Sequence, residues 1–223
     1  MPLVTYRNLV FDVNDVDMMG TWWAPRLGLE FERVGEFGRL AGADTNQTIW
    51  LVPVPEPKTV KNRVHIDLIA PGLELFADCE MISDPGLPWS TFLDPEGGEF
   101  CVFVHAGEPH QLKDIVVDTN DAESLVEWWA SVLGGEWDED EGDAWIDDVP
   151  GVPMESFDFC FVPEEKSTKN RIHWDVVLNQ AISVADLEGR GARVLAEREH
   201  WTVMADPHGN EFCVFGHEAR VDL

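Results

Sequence analysis

The sequence predicts an α+β chain built from four βαβββ units, two in each half of an internal duplication. Three observations carry this. The stretch Asp94–Phe103, DPEGGEFCVF, returns as Asp206–Phe215, DPHGNEFCVF. Lys61–Asp67, KNRVHID, returns as Lys169–Asp175, KNRIHWD. Trp22-Trp23 and Leu27-Gly28 return as Trp128-Trp129 and Leu133-Gly134. Three matches in the same order define a repeat, and a repeat constrains the architecture before any single element does. The joint His105–His110, polar and bearing Gly and Pro, divides the chain into copies 1–106 and 107–223.

Each copy reads alike. A strand (5–13; 111–118) ends at Asn14-Asp15 or Asn120-Asp121, whose side chains suit a helix N-cap. The helix that follows carries the Trp pair and closes at Leu-Gly, with Pro25 expected to bend or shorten the first one. Three strands come next, the last near 48–54 or 156–162. A Pro-bearing linker then leads to the His strand, 62–69 or 170–178. A helix and three more strands complete the copy, ending in 99–104 or 211–216. The copies differ most between the His strand and the Asp-Pro turn. Ile182–Ala192 can form a short helix with a glycine stop, whereas Pro71–Ala77 has room for one or two turns. Asp94-Pro and Asp206-Pro are turns first, with Pro presetting φ and a following Gly free to adopt positive φ.

With 15 basic against 43 acidic residues, the chain carries a net charge of −28. That excludes nucleic acid and anionic membrane as partners, because phosphate binding needs clustered Lys and Arg. The acidic run Trp137–Asp143 reads as a hydrated hairpin tip. No apolar run approaches the roughly 20 residues of a membrane span, and the amino terminus lacks the plan of a signal peptide, so a cytoplasmic protein is expected. Cys79, Cys101, Cys160 and Cys213 show no CxxC spacing, so a zinc knuckle or redox pair is not indicated.

The Trp-Trp…Leu-Gly helix, the Arg-x-His-x-Asp strand and the Asp-Pro-x-Gly-x-Glu-Phe-Cys-Val turn and strand resemble the vicinal oxygen chelate superfamily, which includes glyoxalase I, bleomycin-resistance proteins and extradiol dioxygenases. The likeness covers nearly the whole chain, twice. It implies four βαβββ units forming two cupped mixed sheets with helices outside. Strand alternation then sorts the side chains. Arg63, His65 and Asp67, and likewise Arg171, His173 and Asp175, should face a cup. Val64, Ile66 and Leu68, or Ile172, Trp174 and Val176, should face the helices. Glu99 shares a face with Cys101, Glu211 with Cys213, Asn8 with Asp12, and Asp114 with Asp118, provided no bulge intervenes.

Metal-dependent members of the superfamily draw four ligands from four such strands. Position by position, the resemblance implies Asn8, Trp50, His65 and Cys101 in the first copy. In the second it implies Asp114, Asp158, His173 and Cys213. Cys stands in both copies where a carboxylate is expected. With Trp50 at a ligand position, no metal is favoured in the first copy. A divalent ion held by Asp114, Asp158, His173 and Glu211 in the second is the alternative. His65 and His173 either serve such a site or hydrogen-bond a neighbour. Arg63 and Arg171 either clamp a ligand or pair with Asp67 and Asp175. Cys101 and Cys213 read as packing groups, since no base or cation stands near in sequence. Inward-facing Trp50, Trp89, Trp174 or Trp201 could stack on a flat ligand.

The reading is a tandem binder of a small organic molecule, lined by Asn8, Trp50, Arg63, His65, Glu99, Cys101, Asp114, Asp158, Arg171, His173, Glu211 and Cys213, without a catalytic metal. The alternative is a metal-dependent glyoxalase-like lyase or extradiol-type dioxygenase, active in the second copy only. Four units in one chain permit a monomer, and a homodimer is the other expectation.

Overall fold

A computed structural model describes residues 1–83 and 86–217. The first unit runs β1 (Val4–Val13), α1 (Val16–Leu27), β2 (Glu30–Val34), β3 (Phe37–Ala41) and β4 (Ile49–Pro53). The second begins with β5 (Val64–Ala70) and ends with β6 (Ser90–Leu93) and β7 (Glu99–Val104). The third repeats the first as β8 (Gln111–Thr119), α2 (Ala122–Leu133), β9 (Glu136–Asp140), β10 (Asp143–Asp147) and β11 (Ser156–Phe161). The fourth is β12 (Ile172–Leu178), α3 (Val184–Glu188), β13 (Arg193–Glu197), β14 (Trp201–Ala205) and β15 (Glu211–Phe215). Among the described residues of the second unit, a 3₁₀ turn, Glu74–Phe76, stands where the fourth unit has α3, and an isolated bridge joins Met81 to Phe92. The short Pro71–Ala77 segment leaves no length for more.

The strands form two mixed sheets, ordered β13-β14-β15-β12-β1-β4-β3-β2 and β6-β7-β5-β8-β11-β10-β9. Neither sheet belongs to one copy. β1 pairs antiparallel with β12, and β5 antiparallel with β8. The first sheet therefore joins the first and fourth units, and the second sheet joins the second and third.

Local chemistry explains the long helices. Asp15 and Asp121 cap them by accepting from the backbone N–H groups of Met18 and Ser124. Both helices have 12 residues, so Pro25 does not shorten α1; it forgoes one i→i−4 bond of the last turns, and the helix still runs on to Leu27. Gly28 closes α1 at φ 67°, and a Cβ there would lie 2.5 Å from the His110 carbonyl oxygen. Glycine is thus required on two counts where the helix end meets the joint between copies.

The helices lie outside the cups yet between the sheets. Trp23 packs edge-on against Phe11 of the first sheet and Phe100 of the second. Trp129 meets Trp174 and Phe212 of the first sheet, while α2 lies along β9 to β11 of the second. The convex faces, with Leu9, Phe11, Ile66, Leu68 and Ile115 buried, form one continuous apolar core with these helices. Among the described residues no helix is long and apolar enough to cross a membrane.

Candidate functional site

Crossed pairing decides which residues share a cup. Asn8 and Trp50 lie on β1 and β4, so they stand with His173, Asp175 and Cys213, not with His65 and Cys101. His65, Asp67 and Cys101 instead stand with Asp114 and Asp158. The expected grouping within each copy is corrected in this respect, and so is the alternative ligand set. Asp114 and Asp158 are in one cup, His173 and Glu211 in the other sheet. Alternation along a strand fixes the face of a side chain; it does not fix the neighbouring strand.

The His strands place their side chains as the alternation predicts. In the first cup, Asn8 Nδ2 donates to Asp175 Oδ2 at 3.1 Å, His173 Nε2 is 3.7 Å from Asp175 Oδ1, and Cys213 Sγ is 3.5 Å from His173 Nε2. In the second, His65 Nε2 is 3.5 Å from Asp67 Oδ1, and Cys101 Sγ is 3.5 Å from Thr91 Oγ1. In each His-Asp-Cys trio the donor atoms lie within 4.8 Å of one another. The outer carboxyl oxygens Asp67 Oδ1 and Asp175 Oδ1, and His65 and His173 Nδ1, are buried without hydrogen-bond partners.

Burial dominates the electrostatics. It lowers both imidazoles to about 4, keeping them neutral near pH 7. It raises Asp67 to about 7, with the charges of Asp114 and Asp158 adding to the rise. Asp175 also rises to about 7, and there Asn8 and Arg7 oppose the shift. Asp158 is raised to about 6 by burial and by Asp114. Burial pushes the Cys101 thiol up to about 12 and Cys213 upward as well, so neither is a thiolate nucleophile.

Two residues missed in the sequence complete the cups. Each central strand pair contains a bulge: Tyr6 faces Val176 and Asn8 faces Asp175, leaving Arg7 extra, and Lys113 is extra in the same way opposite Asp67 and Leu68. The bulge turns both cations off the face that strict alternation assigns them. Arg7 lies over the Phe215 ring at 4.2 Å and Lys113 over Phe103 at 5.0 Å. A basic residue at the same place in both copies, on an otherwise apolar strand face, was the available signal. Lys113 pairs with Asp114 and with Glu155 at 3.5 Å. Burial pulls it down, but Asp114, Glu155 and Asp158 together hold it above its usual value. Arg7 lies beside a hollow of about 600 Å³ over the first sheet, whose walls include Asn8, Arg39, Thr45 and Trp50.

Other expected pocket residues tie the copies together instead. Arg63 donates to the Glu164 and Glu165 carbonyls, and Arg171 pairs with Glu96 at 3.0 Å and donates to the Glu56 carbonyl. Neither pairs with the aspartate two places along its strand. Glu99 takes Lys58 and the Asn62 N–H, and Glu211 takes Lys166 and the Asn170 N–H, so both brace the approach to a His strand. Trp174 is buried under α2, away from the cup, and Trp201 stacks on Phe215.

A glyoxalase-like domain model matches residues 8–103 and again 114–215. The chain belongs to the glyoxalase-like family. This glyoxalase-like protein superimposes on glyoxalase I from Zea mays with TM-score 0.71 at 13% identity, over 96% of this chain and 93% of that one. An inferred dioxygenase from Bacillus subtilis gives TM-score 0.65 at 13% identity, over 97% and 86%. The cppA protein from Streptococcus pneumoniae gives 0.53 at 9%, over 96% and 99%. These likenesses establish the vicinal oxygen chelate fold and nothing finer. Among curated proteins, none matches the sequence.

Many members of the superfamily use a divalent metal, and the two cups differ in fitness for one. In the first, Trp50 supplies no donor and Asn8 only a neutral amide oxygen, while His173, Asp175 and Cys213 bring their donor atoms within 4.8 Å of one another. In the second, His65, Asp67, Asp114 and Asp158 are of the right chemistry. There both Asp114 oxygens are already engaged, one by Lys113 and one by the Ser156 N–H and hydroxyl.

Proposed function

We propose that this glyoxalase-like protein binds a small organic molecule in the hollow over the first sheet, with no metal in that cup. The observation that carries the reading is the hollow itself, about 600 Å³, whose walls include the Trp50 indole, the Arg7 and Arg39 guanidinium groups, the Asn8 and Asn46 amides and the Asp44 carboxylate. Its size and its few convergent polar groups suit a drug-sized ligand. A charge of −28 leaves nucleic acid out of the reading. It takes the protein as cytoplasmic, and as a monomer or homodimer. A thermal-shift screen of flat organic compounds with and without EDTA tests it. Hits that raise Tm equally in both conditions, and that weaken by up to about tenfold in Trp50→Ala, are expected. Hits abolished by the chelator would overturn the metal-free reading.

The second cup favours a second reading. Asp67 Oδ1 is buried without a hydrogen bond, near His65, Asp114 and Asp158, and a divalent cation would be held by those four side chains once Lys113 swung aside. Bound there, it would supply Lewis-acid chemistry of the lyase or dioxygenase kind. The residues themselves would keep His65 neutral and hold three carboxylates ready. Elemental analysis of wild type and Asp114→Asn decides this: near-stoichiometric metal lost in the variant supports it, and metal-free wild type with no response to added Mn²⁺ or Zn²⁺ rejects it.

A further inference from the structure

We propose that the hollow over the first sheet takes a flat organic carboxylate, its charged group on the Arg7 guanidinium and its flat body against Trp50. This rests on reading that hollow as the ligand site, and it names the ligand's chemistry. The duplicated half of the molecule supplies the comparison. Lys113 and Arg7 occupy equivalent bulges over equivalent phenylalanines. Around Lys113 stand Asp114, Glu155 and Asp158; the positions that match them in the first cup are Asn8, Gln47 and Trp50. Both copies have the cation, but where three carboxylates surround Lys113, neutral residues stand at the matching places around Arg7.

Among the described residues Arg7 makes no ion pair within 4.0 Å, and its Nη1 is buried without a hydrogen bond. Asp175 does act on it electrostatically, but one oxygen of that carboxyl is committed to the Asn8 amide. Arg63, the other half-buried arginine without an ion pair among the described residues, has two backbone carbonyls to donate to, whereas Arg7 Nη1 has no acceptor. Asp175 offsets only part of the cost of burying that charge, so a carboxylate entering the hollow would meet an under-matched cation. The guanidinium fork matches a carboxylate bidentately. A divalent cation would be repelled by Arg7. A neutral ligand would leave its charge unmatched.

Isothermal titration of the full chain with sodium 2-naphthoate and with 2-naphthamide, which differ at the charged group, tests this. The carboxylate should bind the wild type roughly tenfold to a hundredfold more tightly than the amide. Arg7→Gln should erase that preference, Arg7→Lys should retain part of it, and Arg33→Gln, which removes the same charge from the exposed β2, should leave it intact. Circular dichroism of each variant checks that it folds, and the wild-type comparison stands alone should Arg7→Gln not fold. Equal binding of the two probes by the wild type, or a preference that survives in folded Arg7→Gln, overturns the carboxylate assignment and leaves the hollow as a binding site. If neither probe binds, the assignment and the reading of the hollow fall together.

Discussion

Asp67 illustrates how much a single buried carboxyl can report. Its ordinary value is 3.8, and burial with Asp114 and Asp158 lifts it to about 7 in the folded protein. Between those values the folded chain keeps a proton that the unfolded chain has released, so this group weakens folding as pH rises from about 4 to 7. In the presence of EDTA, Asp67→Asn is therefore expected to gain about 2 kcal/mol over wild type at pH 8 and almost nothing at pH 4, measured by urea unfolding at both values. An equal gain at both would mean that ionisation is not the cause. His65 and His173 have the opposite sign. Their folded values of about 4 lie below the usual 6.5, so their contribution is present above pH 6.5 and is lost as pH falls towards 4. The thiols give a simpler expectation. With Cys101 pushed up to about 12 and Cys213 raised too, neither should react with Ellman's reagent in native protein at pH 8, as read by mass spectrometry of the labelled peptides.

At the scale of an element, the two Asp-Pro turns are alike in sequence and unequal in structure. Asp94 Oδ1 accepts from the Glu96 and Gly98 N–H groups. Asp206 is fully buried and does the same for His208 and Asn210, while its other oxygen accepts from the Trp129 indole and the Asn210 amide. The turn after β14 is thus bolted to α2. In the first copy Gly98 replaces Asn210, and the Trp23 indole N–H is left buried without a partner. Asp206→Ala should cost about 3–5 kcal/mol and Asp94→Ala about 1–2 kcal/mol, since four donors, three of them buried, are stranded in one case and two part-buried ones in the other. Comparable losses in Tm would show that the extra bonds contribute nothing. Elements were legible in the sequence because their causes are local. Asp15 and Asp121 cap helices, Gly28 ends one, and alternation turns His65 and Asp67 away from Ile66 and Leu68. The bulges at Arg7 and Lys113 were not, since a bulge exists only relative to the partner strand, and period-two counting along one strand assigns those residues to the wrong face.

At the scale of the molecule, the repeat showed four units but not how they join. Asn8 beside His65 and Asn8 beside His173 satisfy every local pattern equally, and only the pairing of β1 with β12 decides. That pairing predicts how the chain behaves when cut. Residues 1–106 and 107–223 made separately should each be unfolded or self-associated, because each lacks half of both sheets. Mixing them should restore a one-to-one complex with native circular dichroism, observed by light scattering after size exclusion. Two compact, independent monomers would contradict the crossed architecture. The charge of −28 adds a global expectation: added NaCl should raise Tm by screening self-repulsion. Crossed sheets also govern how the two cups can diverge. Each has one wall from the second or fourth unit, where the His-Asp-Cys trio is retained, and one from the first or third, where Asn8 and Trp50 stand against Asp114 and Asp158. A constant wall therefore meets an interchangeable one. Grafting a single unit from one half into the other should transplant ligand preference wholesale, much as changing one jaw of a vice alters what it grips while its opposite stays fixed.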